Sequence, residues 1–270
     1  MARPAASQIE ESERRITLPG GSLGYILRRT PRARGLRLSV DPRRGLQVIV
    51  PPATRRGWGQ PDDRIESFIR ERERWIRRHL ERFAREQAEA TARGGATDGG
   101  LVHYRGELHR VHVAPAPASA RRSTVERIGT DGGDELVVRV APRDRRSVPR
   151  VLEAWFRERA GAAIDRAVAA HAPALGVAVR QLALRDPRTR WGSASKNGRL
   201  MFSWRLVLAP PDALETVVVH ELAHLRVFGH GPKFWQLVAS RRPSHLADRA
   251  WLRTHSHALH AALETRLDAA

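Results

Sequence analysis

The segment "VVVHELAHLRVFGHGPKFW", residues 217 to 235, places three histidines and a glutamate in strongly apolar surroundings. It contains the pattern H-E-x-x-H, formed by His220, Glu221 and His224. On an α-helix, positions four apart lie about 40° apart around the axis and about 6 Å apart along it, so both imidazoles can reach one cation. Glu221 then stands beside the metal, where a general base for a bound water is needed. The pattern therefore predicts a helix with a metal site on one face.

The apolar residues of this segment indicate which face the histidines occupy. An apolar stripe recurs at helical spacing and points away from the two histidines; it consists of Leu214, Val218, Leu222 and Leu225. A buried pair of structural histidines is the alternative interpretation of the same pattern.

A catalytic zinc site needs a third protein ligand and an open fourth position. His230 follows His220 by ten residues, and Gly229 just before it can end the helix and turn the chain back. This interval equals that of the metzincins, although a valine replaces their glycine and no methionine follows the motif. Residues 222 to 263 contain no glutamate, and Asp248 is their only carboxylate. We expect His230 as the third ligand, with Asp248 as the alternative.

The composition limits the classes of site and the compartment. The chain of 270 residues contains no cysteine, which excludes disulfides and thiolate metal sites, so a metal must be held by nitrogen and oxygen ligands. The N-terminal sequence has no apolar run typical of a signal peptide, and no run of about 18 apolar residues predicts a membrane helix. We expect a cytoplasmic protein with no membrane partner.

The formal net charge of +19 raises the question of nucleic-acid binding. Only Lys196 and Lys233 are lysines, and the many arginines are dispersed and mostly interleaved with acidic residues. This distribution favours nonspecific, salt-sensitive nucleic-acid binding over a dedicated interface.

The first half of the chain is predicted to form β-hairpins and one long helix. Alternating apolar residues in 35–40 and 46–50 flank the turn-forming "DPRRG", and a second hairpin is expected around Ile16 and residues 25–27. No internal repeat is evident. We expect a flexible N-terminus over residues 1–13, a β-rich region over 14–146 with a helix over 62–90 and a linker over 91–100, and a helix-rich region over 147–270. Residues 114 to 134 give no clear strand pattern.

The second half alternates between helical and strand patterns. The chain is therefore predicted to have an α+β fold. The expected elements are a helix over 148–171, a strand over 177–186, a loop or hairpin over 189–200, a strand over 200–210, a helix over 210–228, and helices from Pro232 and from Ser244.

Three blocks make a resemblance specific: "RWGSAS" (190–195), "FSWRLVLAPPDALETVVVHELAHL" (202–225) and "HGPKFW" (230–235). With them the chain resembles the YgjP-like family of zinc metallopeptidases, which is itself similar to the WLM and SprT groups. Trp75 and "AWLRTH" (250–255) fit the same plan.

The resemblance implies a minigluzincin-like zincin core over residues 147–270, in which a small sheet packs on the active-site helix. It also implies one Zn²⁺ held by His220, His224 and His230, with Glu221 as the catalytic residue. Ala194 stands where the family usually has cysteine, so any role of that thiol is absent here.

Arg190, Trp191, Gly192 and Ser193 are the candidate residues of the substrate cleft, where the backbone beside Gly192 would pair with an extended peptide. A tight packed turn is the alternative for the same residues.

The expected function is hydrolysis of peptide bonds by a zinc-activated water with Glu221 as general base. The expected partner is a peptide or protein substrate. Two alternatives stay open: a nucleic-acid-associated protease that acts on DNA-bound proteins, and a metal-binding interaction module without turnover.

Overall fold

The computed structural model describes residues 9–41, 44–130, 133–187 and 189–263. By its internal contacts the chain divides into two compact units, Met1–Ala88 and Glu89–Ala270. The described residues form six α-helices, and none of these is long and apolar enough to cross a membrane. Helices and several small sheets are both present, as the sequence predicted.

The first unit contains a four-stranded sheet made of two antiparallel hairpins. Strand β1 (Glu10–Leu18) pairs with β2 (Gly21–Arg29), and β3 (Arg37–Asp41) pairs with β4 (Gly45–Val50). The two hairpins join because β2 pairs with β4 in parallel, which gives the strand order β1-β2-β4-β3. Both predicted hairpins are confirmed.

Parts of the predicted hairpin turn and of the N-terminal segment lie outside the described residues. Pro42 and Arg43, in the predicted turn between β3 and β4, lie outside the described residues. Strand β1 begins at Glu10, within the segment 1–13 that was expected to be flexible, and residues 1–8 also lie outside the description.

Two helices follow the sheet where the sequence predicted one helix over residues 62–90. They are α1 (Asp62–Glu71) and α2 (Glu73–Ala92), and the chain leaves helical geometry at Arg72 between them. The guanidinium of Arg72 donates to the carbonyl oxygen of Phe68 and lies over the ring of the same residue, 3.6 Å from its centroid. The side chain of Arg72 thus forms a hydrogen bond with a carbonyl of α1 next to the break. The spacing of apolar residues in the sequence does not predict such a contact.

The second unit begins with another four-stranded sheet. Strands β5 (Leu101–Tyr104) and β6 (Glu107–Pro115) form one antiparallel hairpin, and β7 (Thr124–Thr130) and β8 (Gly133–Val140) form the other. Strands β6 and β8 pair in parallel, so the order is β5-β6-β8-β7. This is the strand order of the first unit, and in both units helices follow the sheet along the chain. The structure therefore contains a repeated topology that the sequence did not reveal.

Strand β7 lies in the stretch 114–134 that the sequence left without a strand pattern. Its apolar residues Val125 and Ile128 are three positions apart and only half-buried, so it lacks the alternation that identifies a strand. The pairing with β8 supplies the backbone hydrogen bonds that hold it.

The rest of the second unit positions the histidine segment. The long helix α3 (Val148–Leu175) is followed by strands β9 (Gln181–Arg185), β10 (Gly192–Ala194) and β11 (Arg199–Ser203). Strand β11 is central in this small sheet: it pairs in parallel with β9 and antiparallel with β10. Strand β10 lies at the sheet edge and contacts the next helix.

Residues 204–208 were predicted to continue the strand that starts near residue 200, and this prediction is wrong. They form a 3₁₀ helix, Trp204–Leu208, whose first turn is capped by the side chain of Ser203 as it accepts a hydrogen bond from the Arg205 amide. Because every residue of the segment except Arg205 is buried, its apolar residues do not distinguish a strand from a helix.

Three helices complete the second unit: α4 (Pro211–His224), α5 (Pro232–Arg241) and α6 (His245–Ala261). A single hydrophobic core joins the four-stranded sheet, α3, the small sheet and these helices; its members include Val102, Phe156, Phe202, Val218 and Leu252. Because the sheet β5–β8 and the later helices share this core, the boundary between the two compact units falls between Ala88 and Glu89. The sequence places a domain boundary near residue 146 instead. The predicted domain division as such stays a prediction.

Candidate metal centre

Helix α4 carries two of the three clustered histidines. It begins at Pro211, whose missing amide hydrogen would have no partner within the helix in any case. The negative charge of Asp212 in the first turn interacts favourably with the positive end of the helix dipole. Leu214, Val218 and Leu222 are buried in the core, as the apolar stripe predicted. His220 and His224 are half-buried on a different side of the helix.

A short turn after α4 returns the third histidine to the first two. Gly229 has a φ of 89°, in the left-handed region that glycine occupies without strain, and the chain reverses there. As a result, His230 Nε2 lies 3.2 Å from His220 Nε2 and 3.2 Å from His224 Nε2. The Nε2 atoms of His220 and His224 are also 3.2 Å apart.

Three imidazole nitrogens at this spacing fit a metal ion. In a tetrahedral site with zinc–nitrogen bonds of about 2.0–2.1 Å, neighbouring ligand atoms lie about 3.3 Å apart. Among the described residues, His220, His224 and His230 form the one group of potential ligands close enough to share an ion.

Burial favours the neutral form of two of the imidazoles, those of His220 and His224. Burial lowers the pKa of His220 to about 3, assisted by the nearby charges of His224, His230 and Arg249. Burial also lowers the pKa of His224, against a hydrogen bond between its ring and the backbone of Val227. Neutral imidazole is the form that can donate a lone pair to a metal.

Two aromatic residues at the start of α5 hold the three rings. The fully buried ring of Phe234 stacks on His224, with centroids 4.4 Å apart, and meets His220 and His230 edge to face at 4.9 and 5.0 Å. Trp235 lies 5.7 Å from the rings of both His220 and His230. These contacts restrict the ring orientations.

Glu221 lies beside the histidines in a tight apolar niche. The residue is 6% exposed, and burial raises the pKa of its carboxyl to about 7, against the opposing charge of Arg190. Strand β10 forms one wall of the niche at Gly192: a Cβ atom added there would lie 2.7 Å from Glu221 Cγ and Oε1. Glycine at this position therefore makes room for the carboxylate.

Asp248, the alternative third ligand, has other partners. Its carboxylate accepts hydrogen bonds from Thr216 and Ser244 and pairs with Arg242 at 3.3 Å. It does not belong to the group of atoms around the histidines. The structure therefore brings His230, and not Asp248, to the other two histidines.

A cleft of about 340 Å³ opens beside His220 and Glu221. Of the residues that the sequence proposed for the substrate cleft, Arg190, Trp191 and Gly192 line it. Ser193 pairs with Met201 within the small sheet and is not among the lining residues.

Helix α6 supplies a wall of the same cleft that the sequence did not predict. Arg249, Leu252 and Arg253 line it from this side. No local signal marks these residues, because their place beside α4 depends on how the helices pack.

The histidines near the C-terminus do not form a second metal cluster within the described part of the chain. The ring of His255 stacks on Trp251 at 3.9 Å, and that of His260 stacks on Trp191 at 5.0 Å. Both rings therefore pack against tryptophans, and His260 supports a residue of the cleft wall.

Comparison with known proteins gives one family. A family model described as "YgjP-like, metallopeptidase domain" matches residues 34–255, which is most of the chain and includes every residue of the site. No curated protein and no solved structure gives a match.

Proposed function

The chain belongs to the YgjP-like family of metallopeptidases, and we propose that it is a zinc-dependent peptidase with a single metal ion. The observation that carries this proposal is the triangle of His220, His224 and His230 Nε2 atoms, 3.2 Å on each side. We assign these three atoms as the metal ligands.

The donor set supports zinc. Imidazole nitrogen suits zinc among several transition metals, and three protein ligands with an open fourth position are typical of catalytic zinc sites. The chain offers no thiolate that would favour a closed structural site. We also propose that α4 and the sheet β9–β11 correspond to a minigluzincin-like core, with β10 as the edge strand beside the site.

Glu221 is the residue we propose as general base. A zinc ion at this site would lower the pKa of a coordinated water from about 15.7 to about 7 and polarise a peptide carbonyl. The Glu221 carboxylate would accept a proton at one oxygen and later donate it to the leaving amine. The contact with Gly192 fixes the carboxylate against β10, so it is oriented before substrate arrives.

A metal analysis followed by a cleavage assay tests this proposal. We expect about one zinc per purified chain and cleavage within a peptide library that a chelator abolishes and added zinc restores. Glu221→Gln should keep the zinc and lose at least about 10²- to 10⁴-fold in hydrolysis, the usual contribution of a general base. Full activity of this variant would remove Glu221 from the mechanism.

A metal-binding module without turnover is the first alternative. Such a module needs no carboxylate buried beside the metal, and keeping Glu221 at 6% exposure costs desolvation energy. The position of Glu221 therefore favours the peptidase. Stoichiometric zinc with no cleavage of any library member would favour the module instead.

A nucleic-acid-associated protease is the second alternative, and one observation in the first unit favours it. A cleft of about 710 Å³ there is lined by Arg28, Arg32, Arg34 and Arg37, and no acidic residue is among its described lining residues. Arg32, Arg34 and Arg37 make no ion pair with any residue that the structure describes. Unpaired guanidiniums of this kind suit phosphate oxygens.

Adding DNA to the cleavage assay separates the two enzyme functions. Duplex DNA should stimulate cleavage by a nucleic-acid-associated protease. This stimulation should decrease as the salt concentration rises, and it should be weaker in the double variant Arg32→Gln, Arg34→Gln. Equal cleavage with and without DNA supports the simple peptidase.

A further inference from the structure

The cleft beside the histidines has three walls, and two of them contribute arginine. Arg190 comes from the chain just before β10, and Arg249 and Arg253 come from α6. Positions 249 and 253 are four apart, so both side chains leave α6 on the same face. Helix α4 forms the third wall, with His220 and Glu221.

The charges in this cleft are unbalanced. Among the described residues, Glu221 is the only acidic one that lines it, and its carboxylate is buried against Gly192. Neither Arg190, Arg249 nor Arg253 makes an ion pair with any residue in the described part of the chain. The cleft therefore offers three guanidiniums, none of which is paired with a carboxylate of the described residues.

The first turns of α4 show that the chain neutralises arginine when the role is structural. There Arg242 pairs with Asp212 at 2.7 Å, with Glu215 at 3.0 Å and with Asp248 at 3.3 Å. Acidic residues of both α4 and α6 are thus used there, and among the described residues Glu221 is the one acidic residue that faces the cleft. A guanidinium left unpaired in a concave site is suited to a carboxylate from outside the chain.

Arg249 is held in place for such a contact. It is half-buried, and its guanidinium lies over the ring of Trp235, 4.2 Å from the centroid. Trp235 in turn contacts the rings of His220 and His230. The positive charge of Arg249 is therefore fixed beside the histidines, while the side chains of Arg190 and Arg253 are exposed at the rim.

We propose that the cleft selects peptides that present a carboxylate next to the bond to be cleaved, and that Arg249 and Arg253 are the specificity-determining residues. This inference rests on the peptidase function proposed above. The carboxylate can come from an aspartate or glutamate side chain or from the C-terminus of the peptide, since a guanidinium recognises both in the same way.

Matched peptides test the inference by cleavage. One series should differ only in glutamate against glutamine at the residues flanking the scissile bond, and each member should be made with a free and with an amidated C-terminus. We expect the zinc-loaded wild type to favour the glutamate peptides by roughly 10- to 100-fold in kcat/KM, mostly through KM, since a charge-assisted hydrogen bond is involved. A preference that follows the free C-terminus instead identifies the terminal carboxylate as the source.

Arginine variants assign the preference to residues. Arg249→Gln and Arg253→Gln should each reduce the preference about tenfold, because the kcat/KM of the glutamate peptides falls more than that of the glutamine peptides. Arg139→Gln is the matched control: it removes one positive charge at an exposed position of β8 outside the cleft, and it should keep the preference. Because Arg253 is exposed, its variant remains a test even where Arg249→Gln fails to fold.

A binding measurement separates this inference from the proposed function. Glu221→Gln loaded with zinc should bind a labelled glutamate peptide at least about tenfold more tightly than its glutamine counterpart in fluorescence anisotropy, whether or not the wild type cleaves either. Cleavage without any charge preference, or equal binding of the two peptides, would overturn the inference and leave the peptidase function standing. Absence of all cleavage together with selective binding would contradict the peptidase function alone.

Discussion

His220 and Glu221 are neighbours in sequence, and burial shifts their pKa values in opposite directions, to about 3 and about 7. The cause is the same in both cases, because removal from water disfavours the charged form of either group. A cation held by the three imidazoles would lower the pKa of the Glu221 carboxyl, since a nearby positive charge favours the ionised form. Burial thus disfavours charge on both groups, and a bound cation would favour the ionised form of Glu221.

Gly192→Ala tests how closely the niche fits Glu221. The new Cβ would lie 2.7 Å from Glu221 Cγ and Oε1, so the carboxylate or β10 must shift. A displacement of this kind typically reduces catalysis about 100-fold, and we expect that loss in kcat with zinc content unchanged. Gly24→Ala is the control, because the nearest atom to its new Cβ is 4.0 Å away. Wild-type kcat in Gly192→Ala would show that the orientation of Glu221 is not limiting.

His230→Ala tests the third ligand. Loss of a group that only orients a ligand weakens metal affinity 10- to 100-fold, so removal of the ligand itself should exceed about 100-fold. Zinc affinity measured by competition with a chelator gives the value. Asp248→Asn should leave zinc affinity unchanged, since its carboxylate contacts Arg242, Thr216 and Ser244. The reverse pattern would make Asp248 the ligand.

At the scale of secondary-structure elements, the two four-stranded sheets show how pairing can repeat without a repeated sequence pattern. In each, two hairpins join through a parallel pair of inner strands, β2 with β4 and β6 with β8. Parallel pairing joins strands that are not consecutive, so local turn signals do not predict it. The sequence therefore revealed hairpins and not the way they combine.

Arg242 connects α4 and α6, and its loss should destabilise the second unit. Its side chain is 13% exposed and pairs with Asp212, Glu215 and Asp248. Arg242→Ala leaves the 11% exposed Asp248 without its cation, which should cost about 2–3 kcal/mol in the free energy of unfolding. Urea denaturation measures this cost.

Arg150→Ala is the matched control for this change. Arg150 also pairs with a carboxylate, Glu153, but its side chain is 72% exposed, so we expect an effect within about 0.5 kcal/mol. Similar effects of the two changes would show that the Arg242 cluster contributes no more than a surface pair.

For the whole molecule, the pair of Asp186 with Arg205 contributes to the response of stability to acid. Burial acts to raise the pKa of Asp186, but hydrogen bonds from Arg205 at 2.7 and 3.0 Å and its charge outweigh this effect, so the pKa is lowered. A carboxyl whose pKa is lower in the folded state stabilises the fold above its unfolded value of about 3.9, and the contribution is lost as pH falls through the folded value.

Asp186→Asn should therefore lower the stability of the chain at about pH 7 and have little effect at strongly acidic pH. Urea midpoints measured across this range provide the test. Asp165→Asn, at an exposed position of α3 with no ion pair to a described residue, should have little effect at either pH. A deficit of Asp186→Asn that persists unchanged in strong acid would contradict the role of the ion pair.

The sequence by itself determined the features that depend on short stretches of chain. Helical spacing predicted His220, Glu221 and His224 on one helix, turn residues predicted the hairpins β1–β2 and β3–β4, and three sequence blocks led to the family. The choice between His230 and Asp248 was at the limit of this reasoning. His230 follows α4 after a turn of a few residues, whereas Asp248 lies in α6. Whether Asp248 could reach the other two histidines depended on how α6 packs.

Tertiary structure alone decided which distant residues meet. It placed Gly192 against Glu221, brought Arg249 and Arg253 to the cleft, and paired β7 with β8 without an apolar alternation. Backbone geometry relates a residue only to its near neighbours in sequence. Hydrophobic periodicity and residue spacing therefore predict helices, strands and those metal ligands that lie one helical turn apart. Contacts across the fold depend on how all the elements fill one core, and that packing is a property of the complete chain.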